Sequence, residues 1–157
     1  MKNDVENYLE KNKIVYEKYT HPAVFTVEES KKIKTKIPGM HTKNLFLKDE
    51  RGQFYLICLP ADKKLEINNL RKNLKLKKLS FASAEELKKE LNLTPGSVSL
   101  FGMIHTQTVN LILDRDIWMA EKVGFHPNIN TSTLVLTHEY IEKFYNLIKS
   151  KKEVETL

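Results

Sequence analysis

The segment that most restricts how this chain can fold is a pair of apolar, β-prone runs, Leu45 to Lys48 and Gln53 to Leu59, separated by Asp49-Glu50-Arg51-Gly52. A short polar break ending in glycine between two such runs reads as a hairpin connection. Pro60 then stops the second strand, since proline has no N–H to extend a ladder. A sheet is therefore expected at the centre of the molecule, and the remaining residues must cover it. Alternation places Lys43, Leu45 and Leu47 on one face of the first strand and Asn44, Phe46 and Lys48 on the other. If the leucines point inward, Lys43 does too. A lysine in a partly enclosed site keeps three donors for a carbonyl or phosphate oxygen. The alternative is a flanking lysine that extends to solvent.

Around the hairpin, three capping boxes mark helix starts: Asn3 with Glu6, Thr26 with Glu29, and Ser83 with Glu86. The second helix ends before Pro38-Gly39, and the third ends at Leu91 or Asn92. Residues 62–74 have a helical pattern, and Thr137 caps a last helix whose buried stripe is Ile141, Phe144, Tyr145 and Ile148. Extended segments are expected at 14–19, 76–81, 98–104, 108–113, 123–125 and 131–136, with 98–104 and 108–113 able to pair. Residues 114–122, carrying Trp118, form a connector or short helix. The fold class is mixed α/β: a single domain over residues 1–150 with one curved sheet and helices outside it. A basic tail at 151–157 is expected to fray.

Lys and Arg number 26 against 20 Asp and Glu, a formal net charge of +6, and the excess gathers at 31–36, 71–78 and 149–152. If those clusters share a face they would attract a phosphate backbone; dispersed, they are solvated helix surfaces. The single cysteine, Cys58, lies within an apolar run, so no internal disulfide can form and a reducing compartment is expected. No run approaches membrane-spanning length, and the first residues lead into a charged amphipathic stretch, so a soluble, cytoplasmic protein without a membrane partner is expected. No Gly-rich phosphate loop or dinucleotide fingerprint is present, and the five histidines include no pair at metal-ligand helical spacing. Neither a cofactor nor a metal is expected.

Two further segments carry polar groups in otherwise apolar text. In Phe125-His126-Pro127-Asn128 the proline biases His126 to extended geometry, and the loop could bind a ribose or phosphate or simply satisfy its own backbone. Gly96-Ser97-Val98-Ser99-Leu100-Phe101-Gly102 has two glycines around a serine-bearing segment, where backbone N–H groups could stabilise an oxyanion.

Taken in order, Lys43-Asn44-Leu45-Phe46-Leu47-Lys48-Asp49, Gly96-Ser97-Val98-Ser99 with Phe101-Gly102, and Phe125-His126-Pro127-Asn128 with Asn130-Thr131 resemble the YbaK and ProX family of freestanding aminoacyl-tRNA deacylases. That family is related to the editing domain of bacterial prolyl-tRNA synthetases, and the resemblance covers nearly the whole chain. The Lys-Asn-Leu-Phe-Leu form is similar to the ProX branch, which removes alanine mischarged on proline tRNA. The resemblance implies a barrel-like mixed sheet and hydrolysis of the ester at the terminal ribose without a protein nucleophile. It implies Lys43 and Gly102 as catalytic, the first holding the substrate's polar end and backbone groups near the second stabilising the oxyanion. It further implies Asn44, Ser99, Phe101, His126 and Asn128 as contacts for the substrate and the tRNA end, with His126 and Asn128 on the terminal adenosine. Ile33, Leu45 and Phe101 are candidate pocket walls. Aminoacylated tRNA is the implied partner, prolyl-tRNA synthetase a further one, and a monomer the expected state. Removal of another small amino acid, cysteine or serine, and non-catalytic tRNA binding are the alternatives. Two departures from the family pattern stand beside the implied oxyanion region: Leu100 where proline is common, and Met103-Ile104-His105-Thr106 where an Asn-Asp pair is common.

Overall fold

The computed structural model describes residues 2–23, 32 and 36–157. The hairpin forms where the sequence places it. Strand β2 (Met40–Asp49) pairs antiparallel with β3 (Phe54–Pro60), Lys43 opposite Leu59 and Lys48 opposite Phe54. Asp49 closes the connection: its carboxylate accepts from the N–H of Arg51 and of Gln53, at 2.8 and 3.0 Å, and from the Tyr55 hydroxyl at 2.8 Å. Burial works against the charged form. The Gln53 N–H, the Tyr55 hydroxyl, the Arg51 N–H and the Arg51 charge outweigh it and hold the carboxyl below its usual range, while burial and Asp49 together push the Tyr55 phenol up to about 12.

Among the described residues the sheet has eight strands. Its path runs from β1 (Glu17–Thr20) through β7 (Ser132–Thr137), β6 (Lys122–Phe125), β2, β3 and β5 (Asn110–Asp114) to β8 (Lys152–Glu155), and β4 (Leu79–Phe81) pairs with the far end of β2. Strand β2 joins two halves. Its first residues run parallel to β6, Met40 beside Val123 and His41 beside Gly124, and its later ones pair with β3 and β4. Both faces are covered. One carries the larger core, built by α1 (Asp4–Lys11), α3 (Ala84–Leu91), α4 (Arg115–Met119) and α5 (His138–Leu147) against Phe46, Leu56, Cys58, Leu111, Phe125 and Leu134. On the other, Leu65, Leu70 and Leu76, flanking and including α2 (Ile67–Asn73), pack on Leu47, Ile57 and Leu59. This is the expected mixed α/β sheet surrounded by helices.

Several local expectations are corrected. The box at Ser83 and Glu86 is complete, but at Asn3 only the cap forms: Asn3 accepts the Glu6 N–H at 3.0 Å, while the Glu6 carboxylate turns to Lys18 at 3.1 Å. Residues 62–66 form no helix, and Thr137 occupies the cap position of α5 without a side-chain hydrogen bond. Residues 98–104 are not a strand. Leu100–His105 forms a 3₁₀ helix, because the Ser99 hydroxyl accepts the Phe101 N–H at 3.1 Å and caps the turn, and β5 pairs with β3 and β8 instead. The tail expected to fray contributes β8, parallel to β5, with Val154 packed against the larger core. The helix expected from Thr26 lies outside the described residues.

Candidate active site

The two neighbouring polar residues of β2 point to opposite sides of the sheet. Lys43 shares a face with Leu45 and Leu47, which pack on the smaller core, whereas Asn44 shares one with Phe46 in the larger core. Lys43 is half-buried and has no hydrogen-bond or ion-pair partner among the described residues, so its three donors are uncommitted.

His41 stands two residues before Lys43 on the same face, beside Gly124 of β6. Val123 and Phe125 point into the larger core, so Gly124 and His126 face the other way, toward Lys43's side. Side-chain contacts agree. The His126 ring meets His21 edge to face with centroids 6.2 Å apart, and His21 Nε2 lies 3.0 Å from the Thr133 hydroxyl of β7. A Cβ at Gly124 would come within 3.0 Å of the Thr133 methyl, so glycine lets β7's side chain close over the strand here. The Thr42 hydroxyl fastens β2 to β6 by donating to the Gly124 carbonyl at 2.8 Å.

The tautomer of His126 follows from its partner. Its Nδ1 is 3.1 Å from the Ser132 carbonyl, which can only accept, so Nδ1 carries the proton and Nε2 of the neutral ring is left as an acceptor. Burial is the main cause holding its pKa below the usual histidine value, with smaller contributions from the fields of His21 and His41, and the Ser132 carbonyl opposes them. His21 has the same tautomer by the same reasoning, its Nδ1 lying 3.0 Å from the Pro22 carbonyl.

On the opposite face is a hydrogen-bonded chain. The Ser99 hydroxyl, fully buried, accepts the Phe101 N–H and donates to Asn128 Oδ1 at 2.8 Å, fixing Asn128 with φ +62°. Asn44 Nδ2 donates to the Val98 carbonyl at 3.4 Å, and Asn3 Nδ2 donates to the Pro127 carbonyl at 2.8 Å, tying α1 to the His126 loop. Among the described residues, the buried side-chain polar atoms without a hydrogen bond are Asn44 Oδ1, Asn128 Nδ2, Ser132 Oγ and Asp114 Oδ2. The last lies 2.8 Å from the Lys63 ammonium, so the three left unsatisfied all belong to residues of this region. Unsatisfied buried groups are costly, and they collect where a ligand completes them.

Two of the expected contact residues are buried in the larger core. Phe101 is fully buried and meets Phe125 and Phe144 edge to face at 5.5 and 5.2 Å, so it supports the floor from within the core. The Gly102 N–H donates to the Ser99 carbonyl at 2.9 Å and is not presented to a ligand; a Cβ there would come within 2.9 Å of a Leu93 methyl, which would have to shift. Leu100, where the family commonly has proline, is buried in the larger core, so packing fixes that turn, and His105 is exposed at its end. Leu45 packs on the smaller core, and Ile33 lies outside the described residues. The Cys58 thiol is fully buried and pushed up by that burial and by Asp114, which leaves it unreactive. Among the described residues no three His, Cys, Asp or Glu side chains stand together so as to hold a metal ion.

Sequence reading missed His21, His41 and Thr133. One signal was available: His21-Pro22 repeats the His-Pro pair at His126-Pro127, and both rings end on the same patch.

Comparison with known proteins points the same way. The family model described as aminoacyl-tRNA editing domain matches residues 21–144. The chain is 39% identical over 138 residues to the prolyl-tRNA editing protein ProX of Acetoanaerobium sticklandii, covering 86% of this chain and 84% of that one. It is 28% identical over 148 residues to prolyl-tRNA synthetase associated domain-containing protein 1 of Danio rerio, covering 92% and 80%. A solved structure provisionally described as a trans-editing enzyme for prolyl tRNA synthetase superposes with a TM-score of 0.74 at 19% identity, covering 98% of this chain and 93% of that one, a likeness of fold.

Proposed function

The chain belongs to the aminoacyl-tRNA editing domain family, and on that premise we propose that it is a freestanding deacylase that hydrolyses alanine mischarged on proline tRNA. The observation that carries the reading is the uncommitted Lys43 ammonium on one sheet face with the neutral His126 ring, in a chain 39% identical to a prolyl-tRNA editing protein.

The reaction adds water to the ester carbonyl. The carbon–oxygen bond to the terminal ribose then breaks, the ribose oxygen takes a proton, and free alanine and uncharged tRNA leave. Lys43 donates to the carbonyl oxygen as negative charge develops there, the task for which the Gly102 N–H is not free. The neighbouring ribose hydroxyl positions the attacking water, and His126 Nε2 accepts from a hydroxyl of the terminal adenosine. Asn44 and Asn128, on the other face of β2, hold the floor beneath the site through the Val98 carbonyl and the Ser99 hydroxyl. A small pocket supplies what a synthetase pocket shaped for proline cannot. Missing methylenes change binding by only about 1–3 kcal/mol, whereas a site fitted to alanine rejects proline by overlap. The substrate is the erroneous product of prolyl-tRNA synthetase, which makes that enzyme the proposed supplier, and the cytoplasm is the proposed place of work.

The test is alanine release from alanine-charged proline tRNA, with proline-charged proline tRNA as control. Release of alanine that spares proline, and that collapses in Lys43→Ala, is expected. Full activity in that variant would remove Lys43 from the chemistry, and faster release of cysteine or serine would reassign the amino acid.

A further inference from the structure

Segment 62–78 carries Lys63, Lys64, Arg71, Lys72, Lys75, Lys77 and Lys78 against Asp62 and Glu66, a surplus of five in a chain whose whole surplus is six. The structure puts this charge in one layer. Leu65, Leu70 and Leu76 anchor the segment on the smaller core, which is the sheet face that Lys43 shares. The helices of the opposite layer have no such excess. Three of them, α1 with Asp4, Glu6 and Glu10 against Lys11, α3 with Glu85, Glu86 and Glu90 against Lys88 and Lys89, and α5 with Glu139 and Glu142 against Lys143, have more acidic than basic residues.

Within the segment, Lys63 is committed to Asp114 and Asp116 at 2.8 and 2.7 Å, and Arg71 donates to the Leu76 carbonyl at 3.1 Å. Lys64, Lys72, Lys75, Lys77 and Lys78 are exposed and without ion-pair partners among the described residues. Glu50, the nearby carboxylate, is turned to the backbone and accepts the Lys77 N–H at 3.0 Å. The layer also has a direction. It begins where the Ala61 N–H donates to the His41 carbonyl at 2.8 Å, two residues from Lys43, and ends at the hairpin tip beside Glu50. From Lys43 to Asp49 that is about 20 Å at roughly 3.3 Å per strand residue.

We propose that the outer surface of residues 62–78 is the track for the phosphate backbone of the tRNA acceptor stem, leading the aminoacylated end to Lys43. The proposal rests on the aminoacyl-tRNA substrate inferred above. A solvated helix surface would account for scattered lysines. It does not account for a surplus of five positive charges in the one layer that starts at the candidate site, with five of its lysines left without an ion-pair partner among the described residues.

The test is binding of uncharged proline tRNA by fluorescence anisotropy over a range of salt, comparing wild type with the combined variant Lys72→Gln, Lys75→Gln, Lys77→Gln and Lys78→Gln. The control is Lys88→Gln with Lys89→Gln on α3. All six side chains are exposed, so both variants keep the core. Removing four phosphate contacts lowers the slope of log affinity against log salt by about 3 and weakens binding at least tenfold near physiological salt. The control stays within twofold of wild type. Unchanged affinity and slope in the fourfold variant, or an equal loss in the control, would overturn the track. Deacylation measured on the same samples reads the catalytic proposal separately: a protein that binds tRNA through this surface and releases no amino acid retains the track and loses the enzyme. With an alanylated trinucleotide of the acceptor end as substrate, wild type and the fourfold variant are expected to be equal.

Discussion

Lys43 and Asn44 are adjacent in sequence and belong to two differently built halves of one site. On the Lys43 side, the ammonium and the His126 Nε2 are polar groups that the fold leaves open, set among histidines and packed strands. On the Asn44 side, Ser99, Asn128 and the 3₁₀ turn are joined into a hydrogen-bonded chain whose members are mostly committed to one another. The difference separates chemistry from support. A group left open loses function without stability when removed, and a committed one loses both.

The largest effect belongs to the open side. Lys43→Ala is expected to lower the rate of alanine release by about a hundred- to a thousandfold, the usual weight of one donor to a developing oxyanion. Its thermal midpoint should match wild type, because no protein partner is lost. A variant that unfolds at clearly lower temperature would place Lys43 in the supporting half and dissolve the contrast.

Ser99→Ala tests the committed side. It strands the Phe101 N–H and Asn128 Oδ1 in a buried place, costing about 1–3 kcal/mol. For a chain of this size that is a fall of several degrees in thermal midpoint, at about 2–4 °C per kcal/mol. Activity should fall mainly through a higher KM, as Asn128 loses its fixed orientation. A kcat effect as large as that of Lys43→Ala, with stability intact, would make Ser99 part of the chemistry. Gly102→Ala is a milder probe of the same half. The added methyl meets the far end of the Leu93 side chain, so a loss of about 1 kcal/mol is expected, relieved in part by Leu93→Ala. Calorimetry of the single and double variants decides it.

What could be read from the sequence divides along similar lines. The hairpin and the box at Ser83 were legible because alternation and capping are local, and the family motifs pointed to Lys43, Asn44, His126 and Asn128. The parallel pairings of β3 with β5 and of β5 with β8 depend on segments far apart, and Lys152-Glu153-Val154-Glu155 resembles a solvated tail until Val154 finds the core. Residues 98–104 misled for a different reason. A short apolar run fits strand or helix equally well, and here Ser99 decides by capping the turn. The same turn takes up the Gly102 N–H, which the motif alone suggests is available. His21 and His41 escaped notice because their meeting with His126 is made by strand order, not by spacing.

The smallest expected effect is that of pH, and it returns to the open side. Because burial holds the folded pKa of His126 below its unfolded value of about 6.5, the unfolded chain binds the proton first as pH falls. The ring's contribution to stability is therefore complete above about pH 6.5 and is lost as acid carries the pH down through the lowered folded value. Catalysis should follow the same limb. Protonation turns Nε2 from acceptor to donor, so kcat/KM for alanine release is expected to be insensitive to this ring above pH 6.5 and to decline in acid. His126→Gln, which keeps an amide acceptor without a titrating ring, should lose some activity at pH 7.5 and show no acid limb of this origin. An unchanged acid limb in that variant would move the titration to another group and leave His126 with a positioning role, on the supporting side of the comparison.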